Sequence, residues 1–318
     1  MAALRIIFMG TAELSGDSLR GLISLPEARV LAVVTQPDQP KGRGLKLQAS
    51  PVKKIALDNH LQVLQPERAS DEDFVRELRG LQPDLIAVFA YGQILPQSIL
   101  ELPRFGCLNV HTSLLPKYRG AAPIQWAILN GDSETGVTIM KIDEGMDTGD
   151  LLAQAKTPIR PEDDAQTLHD RLGQMGADLL AQTIPDYIAG GIQPRPQPTE
   201  GASYAPKIRK QDGRIDWRQP ARAIWNRIRA MVPWPGAFTL LPDQPQPRLL
   251  KIWRAEVAPQ TGAPGEVLRA DKDGIIVGCG AESILLRVLQ REGGRRMNPR
   301  EFLAGHSLPT GQRLGWPT

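Results

Sequence analysis

LRIIFMGTAELSGDSLRGLISLPEARVLAVVTQ, residues 4–36, decides the fold. Residues 4–10 form one apolar, strand-prone run, ELSGDSLRGLISLP (13–26) is a helical stretch, and RVLAVVTQ (29–36) is a second apolar run. Strand, helix, strand is the opening unit of a parallel sheet. The pattern continues outward. SPVKKIALDNH (50–60) predicts a helix with a serine cap and proline at its first position. LQVLQ (61–65) predicts a short strand, DEDFVRELRGL (71–81) a helix, and PDLIAVFAYG (83–92) a buried strand. FGCLNVH (105–111), GVTIMKID (136–143) and LLAQAKTPI (151–159) predict further strands, with helices over 121–131 and 163–190. Alternation of this kind predicts an α/β, doubly wound, mostly parallel sheet with helices on both faces.

At 318 residues the chain has room for two domains, each with its own core. GGIQPRPQPTEGASYAPK (190–207) is rich in Gly and Pro, lacks periodicity, and predicts a stiffened linker. Beyond it come one helix, ARAIWNRIRAM (221–231), and five short strand-like runs between 237 and 290. MNPREFLAG (297–305) predicts a closing, proline-initiated helix. Several short strands in so few residues suggest a small β-barrel. The expected organisation is therefore domain 1–189, linker 190–207 and domain 208–318.

Composition narrows the function. Hydrophobic residues make up 41% and charged residues 23%, ordinary for a globular protein. No apolar run approaches the ~20 residues of a membrane span, and the apolar start is too short for a signal peptide. The two cysteines, Cys107 and Cys279, lie far apart and are expected as buried free thiols, which fits the cytoplasm. Charge is divided unevenly. Residues 1–189 hold 18 Lys+Arg against 24 Asp+Glu, and residues 190–318 hold 20 against 11. A basic C-terminal third suits a polyanion docked beside an active site, or else a solvated basic surface. Gly10 and Gly16 do not complete the G-x-G-x-x-G pattern, and no Walker sequence is present, so NAD and nucleoside triphosphates are poor candidates.

The candidate chemistry lies in 109–150. In a strand, Asn109 and His111 share a face at the end that runs into SLLPKYRG, where ligands bind in open α/β sheets. A histidine can move a proton, an asparagine amide can stabilise an oxyanion, and an aspartate can orient the imidazole. That set suits acyl transfer to an amine. His60, His169 and His306 have no such context, and the four histidines lack metal-ligand spacing. IDEGMDTGD (142–150) is a carboxylate-dense turn with glycines at 145 and 149. QPDQPKGRGLKLQASPVKK (36–54) is a long basic loop carrying Lys41, Arg43 and Lys46.

NVHTSLLPKYRGAAPIQWAI (109–128) and GVTIMKIDEGMDTGD (136–150) resemble the formyltransferases that use 10-formyltetrahydrofolate. TQPDQPKGRGLKLQASPVK (35–53) and YAPKIRKQDGRIDW (204–217) resemble the branch of that family whose acceptor is initiator methionyl-tRNA. The resemblance implies a Rossmann-like catalytic domain and an OB-like, tRNA-binding barrel. It singles out Asp147 beside Asn109 and His111 as catalytic. It assigns Ser113, Leu114, Leu115 and Pro116 to the folate. Tyr91, Gly92, Ile94 and Leu95, at the end of another strand, are candidates for a further wall, or else ordinary core. It assigns the loop with Lys41, Arg43 and Lys46 to the tRNA; Lys207, Arg209 and Lys210, at the linker's end, are candidate phosphate contacts. The implied protein is a cytoplasmic monomer that needs no metal and no membrane or DNA partner. Two departures are GTAELSG (10–16), where the family more often has GTP, an acidic residue and Phe, and Thr112, where Gly, Pro or Ala is common. A formyltransferase with a small acceptor shares the catalytic set but needs no basic loop or basic barrel. An inactive RNA-binding relative requires a lost catalytic residue, and all three are present.

Overall fold

The computed structural model describes residues 3–41, 46–242 and 246–315. Arg43 lies outside the described residues, as do the side chains of Lys41 and Lys46. Two compact units result. The first comprises Met1–Pro123, Glu134–Pro158 and His169–Ala205; the second comprises Ile124–Ser133, Ile159–Leu168 and Pro206–Thr318.

The first unit holds strands β1 (Leu4–Gly10), β2 (Ala28–Val34), β3 (Gln39–Lys41), β4 (Lys46–Gln48), β5 (Gln62–Leu64), β6 (Leu85–Phe89), β7 (Cys107–His111), β8 (Glu134–Lys141) and β9 (Leu151–Pro158). Seven of them make one sheet in the order β5-β2-β1-β6-β7-β8-β9. From β5 to β7 every pairing is parallel; β8 and β9 add as antiparallel strands. The order reverses between β1 and β6, the switch point at whose carboxyl ends such sheets bind ligands. Thr11, just after β1, laces these ends together. Its hydroxyl donates to Tyr91 O at 3.0 Å and accepts from Gln36 N at 3.2 Å.

Helices α1 (Gly16–Ile23), α2 (Pro51–Asp58), α3 (Glu72–Gly80) and α4 (Gln97–Leu100) follow the strands as the alternation predicts. Ser50 caps α2 by accepting from Lys53 N at 3.0 Å, and Pro51 fills its first position. β6 is buried along its whole length, as a strand covered on both faces must be. On one face Ile7, Met9, Val34, Ile86 and Val88 pack with Phe74, Val75 and Leu78 of α3. α5 (Pro123–Leu129) and α6 (Ala165–Ile188) complete this part of the chain. Gly176 of α6 allows close approach to the sheet, since a Cβ there would meet Val110 Cγ1 at 2.7 Å. Within 36–54, Gln39–Lys41 pairs antiparallel with Lys46–Gln48.

The stretch expected as a linker is bonded to the first unit as far as Ala205. Arg195 and Leu151 exchange both backbone bonds, and Arg119 does the same with Ser203 and Ala205. Its prolines leave enough free N–H and C=O groups for this pairing, so it is an added edge of the unit rather than a free span.

The second unit holds α7 (Ala221–Ala230) and strands β10 (Ala237–Leu241), β11 (Arg248–Ala258), β12 (Val267–Asp271), β13 (Gly274–Gly278), β14 (Ser283–Arg291) and β15 (Arg296–Met297). They form an antiparallel sheet in the order β10-β11-β14-β13-β12, with β15 beside β14. No ladder joins β10 to β12 among the described residues, and an OB-type barrel is itself partly open. Asn298 caps α8 (Pro299–Gly305), in a capping box with Glu301.

Candidate active site

β7 ends at His111, whose partner in β8 is Thr138; Asn109 is opposite Met140. Asn109 and His111 therefore project to one face, and both reach the same carboxylate. Asn109 Nδ2 donates to Asp147 Oδ1 at 3.4 Å, and His111 Nδ1 lies 3.7 Å from Asp147 Oδ2. The imidazole is only 6% exposed, and its Nε2 sits 2.9 Å from Tyr118 O. A carbonyl oxygen only accepts, so Nε2 carries a proton and Nδ1 is the nitrogen left to gain or lose one. The arrangement can shuttle a proton at Nδ1 beside an amide donor and a carboxylate.

Asp147 is held by backbone on two sides. Its Oδ2 accepts from Gly120 N at 2.8 Å, and its own backbone has φ 53°, a left-handed conformation costly for a non-glycine residue. The loop that imposes this is tightly built. Asp143 accepts from Gly145 N at 3.0 Å and from the Thr148 hydroxyl at 2.8 Å, a local turn role. A Cβ on Gly149 would come within 1.7 Å of Lys141 O, so only glycine passes there.

Ser113–Pro116 form a wall braced from behind. The buried Thr138 hydroxyl donates to Ser113 O at 2.6 Å and accepts from Leu115 N at 3.1 Å. Gln154 Nε2 donates to Leu115 O and to Thr138 Oγ1, both at 2.9 Å. Ser113 Oγ donates to Lys117 O at 2.6 Å, and the Leu115–Pro116 peptide is cis. Most polar groups expected to face the folate are thus used within the protein, leaving the partly exposed Leu114 and Pro116 as apolar surface.

The further wall divides. Ile94 is 84% exposed, whereas Tyr91 and Leu95 lie in the core under the sheet. Tyr91 Oη is buried with no hydrogen-bond partner among the described residues, and burial pushes its pKa up to about 12. Gly92 is exposed with φ 87°, and a Cβ there would meet Gln36 Nε2 at 2.5 Å.

Lys207, Arg209 and Lys210 are exposed at the start of the second unit's main segment. Sequence reasoning missed the rest of this basic cluster. Arg296 lies 3.8 Å and Lys251 5.4 Å from the Trp253 ring centroid, and burial with the nearby Lys210 and Arg296 lowers the Lys251 pKa. These cations come from separate strands, so no run in the sequence reveals them. Three groups that grip the candidate set were also missed: Tyr118 O, Gly120 N and the side chain of Gln197, which donates to Asp147 O at 2.9 Å. Backbone groups leave no residue-type signal, and Gln197 lies in an aperiodic Pro-rich stretch.

Comparison with known proteins gives the site a context. Residues 4–184 match the formyl transferase family, and residues 207–307 match the formyl transferase C-terminal domain. The chain is 50% identical over 315 residues to a methionyl-tRNA formyltransferase from Geobacter sulfurreducens, covering 99% of this chain and 98% of that protein. It is also 50% identical over 314 residues to the enzyme of the same name from Caldanaerobacter subterraneus subsp. tengcongensis, covering 98% of this chain and 100% of that one. Two solved structures share the fold. One is WlaRD, a sugar 3N-formyl transferase crystallised in the presence of dTDP and 5-N-formyl-THF (TM-score 0.64, 22% identity, 90% of this chain and 98% of that one). The other is HypX from Aquifex aeolicus in complex with tetrahydrofolic acid (TM-score 0.61, 18% identity, 96% and 48%).

Proposed function

This chain belongs to the formyl transferase family, and from that premise we propose that it transfers the formyl group of 10-formyltetrahydrofolate to the α-amine of methionine on initiator methionyl-tRNA. The observation that carries the reading is the reach of the similarity: 50% identity to methionyl-tRNA formyltransferases over 99% of the chain, basic C-terminal part included. A basic C-terminal part suits a polyanionic acceptor such as tRNA.

The neutral amine attacks the formyl carbon, and a C–N bond forms as the carbonyl oxygen becomes an oxyanion. Asn109 Nδ2 turns from its long contact with Asp147 to donate to that oxygen. His111 Nδ1 takes the proton lost by the amine and delivers it to the folate nitrogen as the old C–N bond breaks. Asp147 places its negative charge beside the protonated ring. The products are formylmethionyl-tRNA and tetrahydrofolate. No covalent enzyme intermediate is required, and no step calls on a metal.

Leu114, Pro116 and Ile94 offer apolar surface to the donor's pterin, with Gly92 exposed near Ile94 and Ser113, Leu115, Tyr91 and Leu95 as the frame behind them. Lys41, Arg43, Lys46, Lys207, Arg209 and Lys210 are assigned to tRNA phosphates, and we add Lys251 and Arg296. The protein works as a monomer in the cytoplasm, where its two free thiols persist.

The test is formyl transfer to charged initiator tRNA, with charged elongator tRNA and an amino-sugar nucleotide as alternative acceptors. Transfer should strongly favour the initiator, and tRNA affinity should fall steeply with added salt as counterion release predicts. Faster transfer to the sugar nucleotide would overturn the reading.

A further inference from the structure

Gln197 comes from the aperiodic stretch before the second unit's main segment, yet its side chain meets both segments that hold the catalytic set. Its Nε2 donates to Asp147 O at 2.9 Å and to Gly149 O at 2.8 Å. Its Oε1 accepts from Arg119 Nη2 at 2.7 Å and Nε at 3.1 Å. Both amide protons and both lone pairs are used, which fixes which way the amide faces: a flip would set an NH2 against a guanidinium and an oxygen against two carbonyls. Arg119 in turn sits between Tyr118, whose carbonyl takes His111 Nε2, and Gly120, whose N–H takes Asp147 Oδ2. Asp147 itself has the left-handed backbone that an unsupported aspartate resists.

We infer that Gln197 is a positioning residue for the formyl-transfer reaction: it holds the Asp147 main chain in its left-handed state and so aims the carboxylate at His111 and Asn109. Both ends of its amide are already engaged within the protein. The inference rests on the functional reading above and adds to it a residue that acts only through Asp147.

Two substitutions and a cycle test it. Gln197→Leu removes these four bonds and the weak one from Nε2 to Met140 Sδ at 4.0 Å. Gln197→Glu keeps the Arg119 partner, strengthened by charge, but replaces the two donors to the loop with an oxygen set against the Asp147 and Gly149 carbonyls. Misplacing a catalytic group by about 1 Å can cost about 100-fold in rate, so both variants should lose about 10- to 100-fold in kcat. KM for the folate and for the tRNA should each change by less than about threefold. In an Asp147→Asn background, either substitution should lower kcat by less than about threefold, because residues acting as one unit are not additive. An equal fall in both backgrounds would overturn the inference, as would kcat within about twofold of wild type. So would a Gln197→Glu enzyme that matches wild type while Gln197→Leu fails, since Arg119 bracing alone would then be what matters. Should Gln197→Leu not fold, the glutamate variant and its cycle carry the test. The wild-type arm separates the two ideas: inactive wild type removes the functional reading, whereas active wild type with unaffected variants removes only the role of Gln197.

Discussion

His111 turns one ring nitrogen toward Asp147 and has the other in harness. Nε2 is committed to Tyr118 O inside the protein, so truncating the ring removes a buried hydrogen-bond donor along with the proposed proton carrier. His111→Ala should lower kcat by about two to four orders of magnitude and also cost about 1–3 kcal/mol of stability, because Tyr118 O loses the His111 donor. His111→Gln can still offer an amide donor to that carbonyl but has no nitrogen that titrates. It should share the kinetic loss and recover most of the stability, which chemical denaturation beside single-turnover kinetics would show; equal destabilisation in both variants would mean the Tyr118 bond contributes little. Tyr91 poses the opposite case, a buried hydroxyl without a partner. Tyr91→Phe should leave formyl transfer unchanged and stability equal or higher by up to about 1 kcal/mol; a clear rise in folate KM would instead mean that the hydroxyl reaches the donor.

The elements show how far a sequence can be followed. β7 and its i, i+2 pair were legible because strand geometry leaves no choice: Asn109 and His111 had to face the same way, and both reach Asp147. α2 was legible to its cap, since Ser50 and Pro51 satisfy a helix start locally. Asp147 was different. Nothing about a carboxylate-dense turn distinguishes it from Asp143, which serves the turn, and only resemblance singled it out. The division of Tyr91 and Leu95 from Ile94 was equally hidden, because a loop after a strand has no period to say which apolar residue turns inward. The bracing of Ser113–Pro116 was hidden for a further reason: it comes from β8 and β9, through Thr138 and Gln154, residues remote in sequence. Thr138→Val keeps the shape and strands Ser113 O and Leu115 N. It should cost about 1–3 kcal/mol of stability and raise folate KM more than it lowers kcat. A kcat defect with unchanged KM would place the Thr138 network in the chemistry rather than in the wall.

At the scale of the whole chain, the ordered stretch up to Ala205 changes where the protein can be cut. A fragment ending at residue 189 lacks Gln197, Ser203 and the backbone pairs they accompany, whereas one ending at 206 keeps them. The longer fragment should bind a folate analogue close to the intact protein's affinity and lose most tRNA affinity; the shorter should bind folate at least about tenfold more weakly, as preorganised walls that are freed must be ordered again on binding. Equal folate affinity in calorimetry would show that the stretch is dispensable. Each unit also carries one thiol, Cys107 in the first and Cys279 in the second, both buried and both pushed up to about 12 by that burial. A thiol raised that far stays protonated at pH 8 and unreactive until its surroundings open. The chain therefore carries two internal clocks. Alkylation followed by peptide mass analysis times the opening of each unit on its own in the unaltered protein. A folate analogue should slow the clock at Cys107 more, and tRNA the one at Cys279, since a ligand protects whatever must close to bind it. If either ligand slows both clocks equally, the units open as one.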